Sequence, residues 1–276
     1  MKIVILGDAG SVGAKLASRL ARGGHDVLLA AAESGVDTLT GVGLSEAFAG
    51  ARVVVDAAAA SSFSGPDCLR RSVRNVVTAE EVAGVRHHIA LSVVGVDRVH
   101  DAGCFRAKWT QEMLVRSSRI SNTIVRSTQL FECLGDVAQL GSDAHVVRLP
   151  PVLVQPVAAD DVASALADVA TGVEMIGTME IAGPETLYLP ELCRRFLSAN
   201  EDTREVIADT NAKYYGIEPA GRLLLPNPHA RIGSIRFDDW IRGSPFRKRH
   251  AKKRPDVPAE RRYAEDRYEL QRAIDG

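Results

Sequence analysis

Clustered cysteines, long apolar runs, net charge and aromatic residues are all scarce in this sequence, and each scarcity excludes something. Cys68, Cys104, Cys133 and Cys193 stand far apart with no Cys-x-x-Cys pair, which rules against a redox dithiol or a cysteine-based metal site. Free thiols of this kind point to a cytoplasmic protein. No run approaches the roughly 18–20 apolar residues that cross a bilayer, so no membrane partner is expected. The opening "MKIVILGDAG" has one lysine, a strand-length apolar run and a glycine turn, unlike a signal peptide. A net charge of −1 argues against a polyelectrolyte partner for the chain as a whole. No internal repeat is found, which sets aside solenoids and propellers.

What is present reads as a globular α/β chain. With 46% hydrophobic and 25% charged residues, 276 residues suffice for one large domain or one with a small lobe. "KIVIL" (2–6) is a continuous apolar run, as expected of a strand covered on both faces. "SVGAKLASRLARGG" then places Val12, Leu16 and Leu20 on one helical face before a Gly23-Gly24 stop. Further strands are predicted at 26–30, 51–57, 87–94 and 122–127. Helices fall between them: "LSEAFAG", about 67–83, and one holding Cys104 and Lys108. This alternation predicts a doubly wound parallel sheet of Rossmann type with right-handed crossovers. After about Gly135 the pattern loosens into short runs broken by prolines, with a helix that Ala159-Asp160 would cap. Residues of about 135–240 are expected to supply a small C-terminal substrate lobe over the carboxyl edge of the sheet.

The stretch 241–276 differs in kind, with 11 Lys/Arg against 6 Asp/Glu, or +5, so the first 240 residues carry −6. No aromatic residue interleaves its basic cluster, so a solvated or helical tail is the expectation and a nucleic-acid partner is not.

"GDAGSVG" carries the chemistry. Gly7, Gly10 and Gly13 follow an apolar strand directly and lead into an amphipathic helix, the context in which a glycine triplet binds a dinucleotide. Glycine is needed for the tight turn, the close approach to pyrophosphate and the packing of helix on strand. The loop Gly7, Asp8, Ala9, Gly10, Ser11, Val12, Gly13 would offer backbone N–H groups to the phosphates at the helix N-terminus. After the second strand, "LAAAESG" holds Glu33 and no Arg or Lys. A carboxylate there suits a ribose 2′-OH and repels a 2′-phosphate, favouring NAD over NADP.

The Gly-x-x-Gly-x-x-Gly spacing resembles that of atypical short-chain dehydrogenases/reductases, notably the NmrA-like and isoflavone-reductase-like branch. The resemblance continues through "HHIALSVVGVD", "TIVRSTQLFE", "VQPVAADDVASALADV" and "MEIAGPETLYLPEL", covering most of the chain to about Trp240. It implies that Asp37 lies near the adenine and that Ala57, Ala58, Ala59 and Ala60 line the adenosine and nicotinamide ribose. Ser127, like the glycine loop, Ala57 and Ser92, follows a strand, and in a parallel sheet such ends meet at one edge.

Members of the family carry a serine after strand four and a Tyr-x-x-x-Lys on the next helix. Ser92 matches the serine. "CFRAK" matches the frame with Lys108 in place and Cys104 where the tyrosine belongs. Lys108 is therefore expected to hold ribose, and Ser92 and Cys104 are candidate catalytic residues. A cationic neighbour could lower the Cys104 thiol pKa toward neutrality; the alternative is a small residue without chemistry. His87 and His88 point to opposite faces of a strand, which does not suit a shared metal. Tyr214 and Tyr215 could offer a hydroxyl from the lobe. The resemblance implies an NAD(P)-dependent reductase of a small carbonyl, enone or quinone substrate. The missing tyrosine keeps open a second possibility, a non-catalytic dinucleotide sensor that acts through a protein partner.

Overall fold

The run "KIVIL" forms β1 (Lys2–Leu6) in the interior of a seven-stranded parallel sheet, which is why four of its five residues are buried. The computed structural model describes residues 1–7, 11–58, 66–99, 103–143 and 145–243. After β1 come α1 (Ser11–Arg22), β2 (Asp26–Ala30), α2 (Leu44–Phe48), β3 (Ala51–Asp56), α3 (Pro66–Ala83), β4 (His87–Val93), α4 (Gly103–Arg116) and β5 (Ser121–Ser127). The remainder adds α5 (Leu134–Leu140), β6 (Val146–Leu149), β7 (Leu153–Val154), α6 (Ala159–Thr171), β8 (Gly177–Ala182), β9 (Leu187–Tyr188), α7 (Leu189–Ala199), β10 (Glu205–Ala208), β11 (Arg231–Ile232) and α8 (Phe237–Gly243). The sheet runs β2-β1-β3-β4-β5-β8-β11 with every pair parallel. From β1 the chain steps outward to β2 and then crosses back to β3 on the other side. That reversal opens a crevice at the carboxyl ends of β1 and β3.

Alternation along the strands divides the core into faces. Ile3, Ile5, Val53, Val55, Ile89, Val125 and Ile181 meet Leu16 and Leu20 of α1 and the alanine-rich side of α6. On the opposite face Val4, Leu6 and Val54 meet Leu44 and Phe48 of α2, while Ala90 and Ile124 meet Leu69 and Val73 of α3 and Val115 of α4.

A further cluster joins Phe131, Leu134, Val147, Leu149, Leu192, Phe196, Phe237 and Phe105 of α4. It is roofed by two small sheets, β6 with β10 and β7 with β9. Trp240 packs against the Phe131, Phe196 and Phe237 rings, and α8 continues past it to Gly243 with Ile241 on the same cluster. The packed chain thus extends beyond the boundary at Trp240 read from the sequence; residues from 244 onward lie outside the described ones.

The start of α6 differs from the sequence expectation. Its N-cap is Ala158, and neither aspartate caps it. Glu132, from the turn after β5, accepts the Ala159 N–H at 3.1 Å and the Trp240 indole N–H at 3.1 Å. That leaves Asp160 to pair with Lys15 of α1 and Asp161 to accept the Ile235 N–H at 3.0 Å.

Candidate functional site

At the crevice, Gly7 adopts φ +126, and a Cβ there would lie 3.2 Å from the Ala58 nitrogen and 3.3 Å from the Ala57 carbonyl carbon. Both the conformation and the close approach require glycine. Ala57 donates its N–H to the Leu6 carbonyl at 3.0 Å, and Gly7 donates to Ala30 at 3.2 Å, so the β1 turn is pinned between its two neighbours. Ser11 opens α1, with Val12 and Gly13 buried on the strand side. Asp8, Ala9, Gly10, Ala59 and Ala60 lie outside the described residues.

Lys108 reaches this same point from α4 and is 6% exposed. Its Nζ donates to the Ala58 carbonyl at 2.7 Å, the Leu91 carbonyl at 2.8 Å and Gln111 Oε1 at 2.9 Å. All three donors of the ammonium are engaged within the chain. Burial lowers its pKa from the ordinary lysine value, against the opposing pull of Asp56. The lysine therefore ties the loop after β3 to the end of β4. Ser92 sits beside it on the same face of the sheet, 1% exposed, and its Oγ has no hydrogen-bond partner among the described residues. An orphaned buried hydroxyl at the rim of a crevice marks a place where an acceptor or donor is expected.

Of the two readings of Cys104, the geometry favours the small residue without activated chemistry. The thiol packs against the lobe cluster, and burial raises its pKa above the ordinary thiol value, outweighing the nearby Lys108. It is held protonated, and the lysine does not activate it. Tyr214 of the lobe is 5% exposed and its pKa lies well above the ordinary tyrosine value, burial being the main cause, with Tyr215, Cys133 and Cys104 adding to it.

The remaining predicted residues divide. Ser127 ends β5 in register with Val93 and accepts the Val94 N–H at its carbonyl. Glu33 is exposed on the turn 32–34 after β2. Asp37 spends its carboxylate on its own turn, accepting from Leu39 N–H at 2.8 Å and Thr40 Oγ1 at 2.8 Å, and the Thr40 hydroxyl is the main reason its pKa is lowered. His87 bonds Thr123 at 2.8 Å and His88 bonds Glu80 at 2.7 Å.

Four residues of the site were missed in the sequence: Asp56, Gln111, Glu112 and Arg126. Arg126 donates to both Glu112 oxygens, at 2.9 and 2.8 Å, and pairs with Asp97 at 2.7 Å. Gln111 and Glu112 follow Lys108 by three and four positions, and that helical spacing was the available signal.

No protein-family model and no curated protein matches the chain. Solved structures match it in fold. An NAD dependent NDP-hexosamine 5,6-dehydratase involved in tunicamycin biosynthesis is 15% identical over 92% of this chain and 99% of that one, with a TM-score of 0.64. A dTDP-4-dehydrorhamnose reductase ortholog from Clostridium acetobutylicum is 15% identical over 87% and 91%, with a TM-score of 0.62. UDP-glucose 4-epimerase from Thermus thermophilus, solved with NAD, is 17% identical over 76% and 86%, with a TM-score of 0.58. The shared feature is the Rossmann-type α/β fold; these likenesses do not single out the NmrA-like branch.

Proposed function

We propose that the chain is an NAD(P)-dependent oxidoreductase of the short-chain dehydrogenase class, acting on a small carbonyl, enone or quinone. The observation that carries this reading is the topological switch point, where a Cβ on Gly7 would come within 3.2–3.3 Å of the Ala57 and Ala58 backbone and Lys108 closes the same corner. The site fits a dinucleotide: its first turn has a positive φ at Gly7 with little room for a Cβ, and the nearby buried Ser92 hydroxyl has no partner among the described residues. When bound, the nicotinamide supplies or takes up a hydride.

In this reading the loop from Gly7 to Gly13 and the first turn of α1 hold the pyrophosphate. Glu33 takes the adenosine ribose, which favours NAD, and Asp37 borders the adenine. Ala57 to Ala59 and Ser127 line the ribose side. Lys108 meets the nicotinamide ribose by exchanging one of its three acceptors, and Ser92 Oγ handles the substrate oxygen and its proton. Cys104 stays a neutral thiol and shapes the pocket.

One observation favours a second reading, a dinucleotide sensor without turnover. The phenol is replaced by a protonated thiol, and every Lys108 donor is already engaged. Anaerobic stopped-flow with NADH against quinones, enones, aldehydes and nucleotide-linked 4-keto sugars separates the two. Oxidation of NADH with any of these, slowed at least tenfold in Ser92→Ala, is expected for the enzyme. Tight NADH binding with no oxidation across the panel would favour the sensor.

A further inference from the structure

The corner between β3, β4 and α4 is joined by a single buried relay. Asp56 ends β3, and its carboxylate accepts the Ala58 N–H at 3.1 Å and Gln111 Nε2 at 2.6 Å. Gln111 then presents Oε1 to Lys108 Nζ at 2.9 Å. Asp56, Gln111 and Lys108 are 5%, 1% and 6% exposed. Chemistry dictates the order, since a carboxylate only accepts and an ammonium only donates. The amide between them must turn its NH₂ to Asp56 and its oxygen to Lys108. Ala58 is consequently gripped twice, its N–H by Asp56 and its carbonyl by Lys108. This is the residue against which Gly7 packs.

We propose that Asp56 and Gln111 are positioning residues: Asp56, acting through the Gln111 amide, orients the Lys108 ammonium and fixes Ala58 as the wall of the crevice. The functional meaning rests on reading that crevice as the dinucleotide site, whereas the relay itself is testable without cofactor. The charged and titratable groups around Lys108 are Asp56 on β3 and Glu112 and Cys104 on α4. Glu112 is committed to Arg126 of β5 on both oxygens, and Cys104 is a neutral thiol. β4 contributes the Leu91 carbonyl and the Ser92 hydroxyl, neither of them charged. Asp56 is left as the counter-charge, and the amide transmits it.

The test is a pH titration of the Lys108 side chain, followed by NMR of 13Cε-labelled lysine and assigned by the signal lost in Lys108→Arg. Asp56→Asn removes the counter-charge and lets the Gln111 amide turn its donors toward the ammonium, so the Lys108 midpoint should fall by about one pH unit or more. Gln111→Leu should lower it in the same direction. The exchange double variant, Asp56→Asn with Gln111→Glu, puts a carboxylate directly against Lys108 with an amide donor behind it, and should bring the midpoint back to the wild-type value or above it. An unchanged midpoint in Asp56→Asn, or no rescue in the exchange, overturns the proposal. Should Asp56→Asn fail to fold, the exchange variant decides by itself: a midpoint at or above the wild-type value supports the relay and a lowered one refutes it. NADH calorimetry on the same proteins keeps the two readings apart. The relay predicts weaker binding in Asp56→Asn than in wild type, whereas absent binding to wild type with an intact Lys108 shift pattern would remove the cofactor reading and leave the relay standing.

Discussion

The sheet face covered by α1 and α6 is filled with Ile3, Ile5, Val53, Val55, Ile89, Val125 and the alanines of α6, while the face covered by α3 and α4 buries Asp56, Glu80, His88, Lys108, Glu112 and Arg126. Both faces belong to the same strands. The α1/α6 face relies mainly on complementary shape, with the buried His87–Thr123 hydrogen bond as its polar exception, and alanine at α6 lets α1 come close. The charged face incurs desolvation for every ion and recovers it only through exact partners: Arg126 with Glu112, His88 with Glu80, Lys108 with two carbonyls and an amide. Well-packed apolar residues would be as stable there, so stability does not account for these ions. Their placement does: Asp56, Lys108 and Arg126 hold the strand ends that form the crevice. The difference teaches that one face is built almost wholly on apolar packing, while the other adds buried ion pairs and hydrogen bonds around the strand ends where the dinucleotide site is proposed.

Substitutions that break this contrast should differ in kind. Arg126→Leu removes the bidentate partner of Glu112, 0% exposed, and leaves it only the more distant Arg116 at 3.6 Å, so it should cost about 3 kcal/mol in urea unfolding. Replacing Glu112 by Leu as well should recover most of it, because a charge is no longer stranded. A single-variant cost below about 1 kcal/mol, typical of a surface pair, would contradict the account. On the apolar face, Leu16→Ala empties a fully buried position and should cost about 2–4 kcal/mol with dinucleotide affinity unchanged in the folded protein. A tenfold loss of affinity there would show that the faces are not separate in function. Cys104 should be alkylated by iodoacetamide at pH 8 more slowly than free cysteine, with the rate rising only above the ordinary thiol range, because burial holds its pKa up. Mass spectrometry after timed quenching reads this out; rapid labelling near neutrality would restore the activated thiol. The smallest effect is expected from truncation after Gly243, which keeps α8 whole and should move the melting temperature by no more than about 1–2 °C.

Much of the fold was legible because its signals are local. "KIVIL" and "HHIALSV" are strands by their apolar runs, and α1 follows from Val12, Leu16 and Leu20 on one face. The glycine turn was readable for the same reason, being a strand, a turn and a helix in direct succession. What the sequence left unread is contact between distant residues. Asp56 and Gln111 are 55 positions apart, and the cap of α6 comes from Glu132, 27 positions before it. The rise in the Cys104 pKa arises from the lobe packed against it, a cluster that includes Phe105, Phe196 and Phe237 from three separate helices. Strands as short as β7, β9 and β11, two residues each, carry no periodicity to detect. The serine and lysine were located by resemblance, but only the structure shows the lysine with all three donors engaged.

The measurement that tests the central claim most directly is calorimetric titration of the full chain with NADH and with NADPH, repeated on Gly10→Val. In the glycine-loop reading, a side chain at Gly10, in the middle of "GDAGSVG", takes the place where the backbone approaches the pyrophosphate. The account predicts saturable one-site binding to wild type, tighter for NADH than for NADPH, and its loss in a Gly10→Val variant whose circular dichroism is unchanged. Equal affinity in that folded variant, or no heat from either dinucleotide with folded wild type, would contradict it.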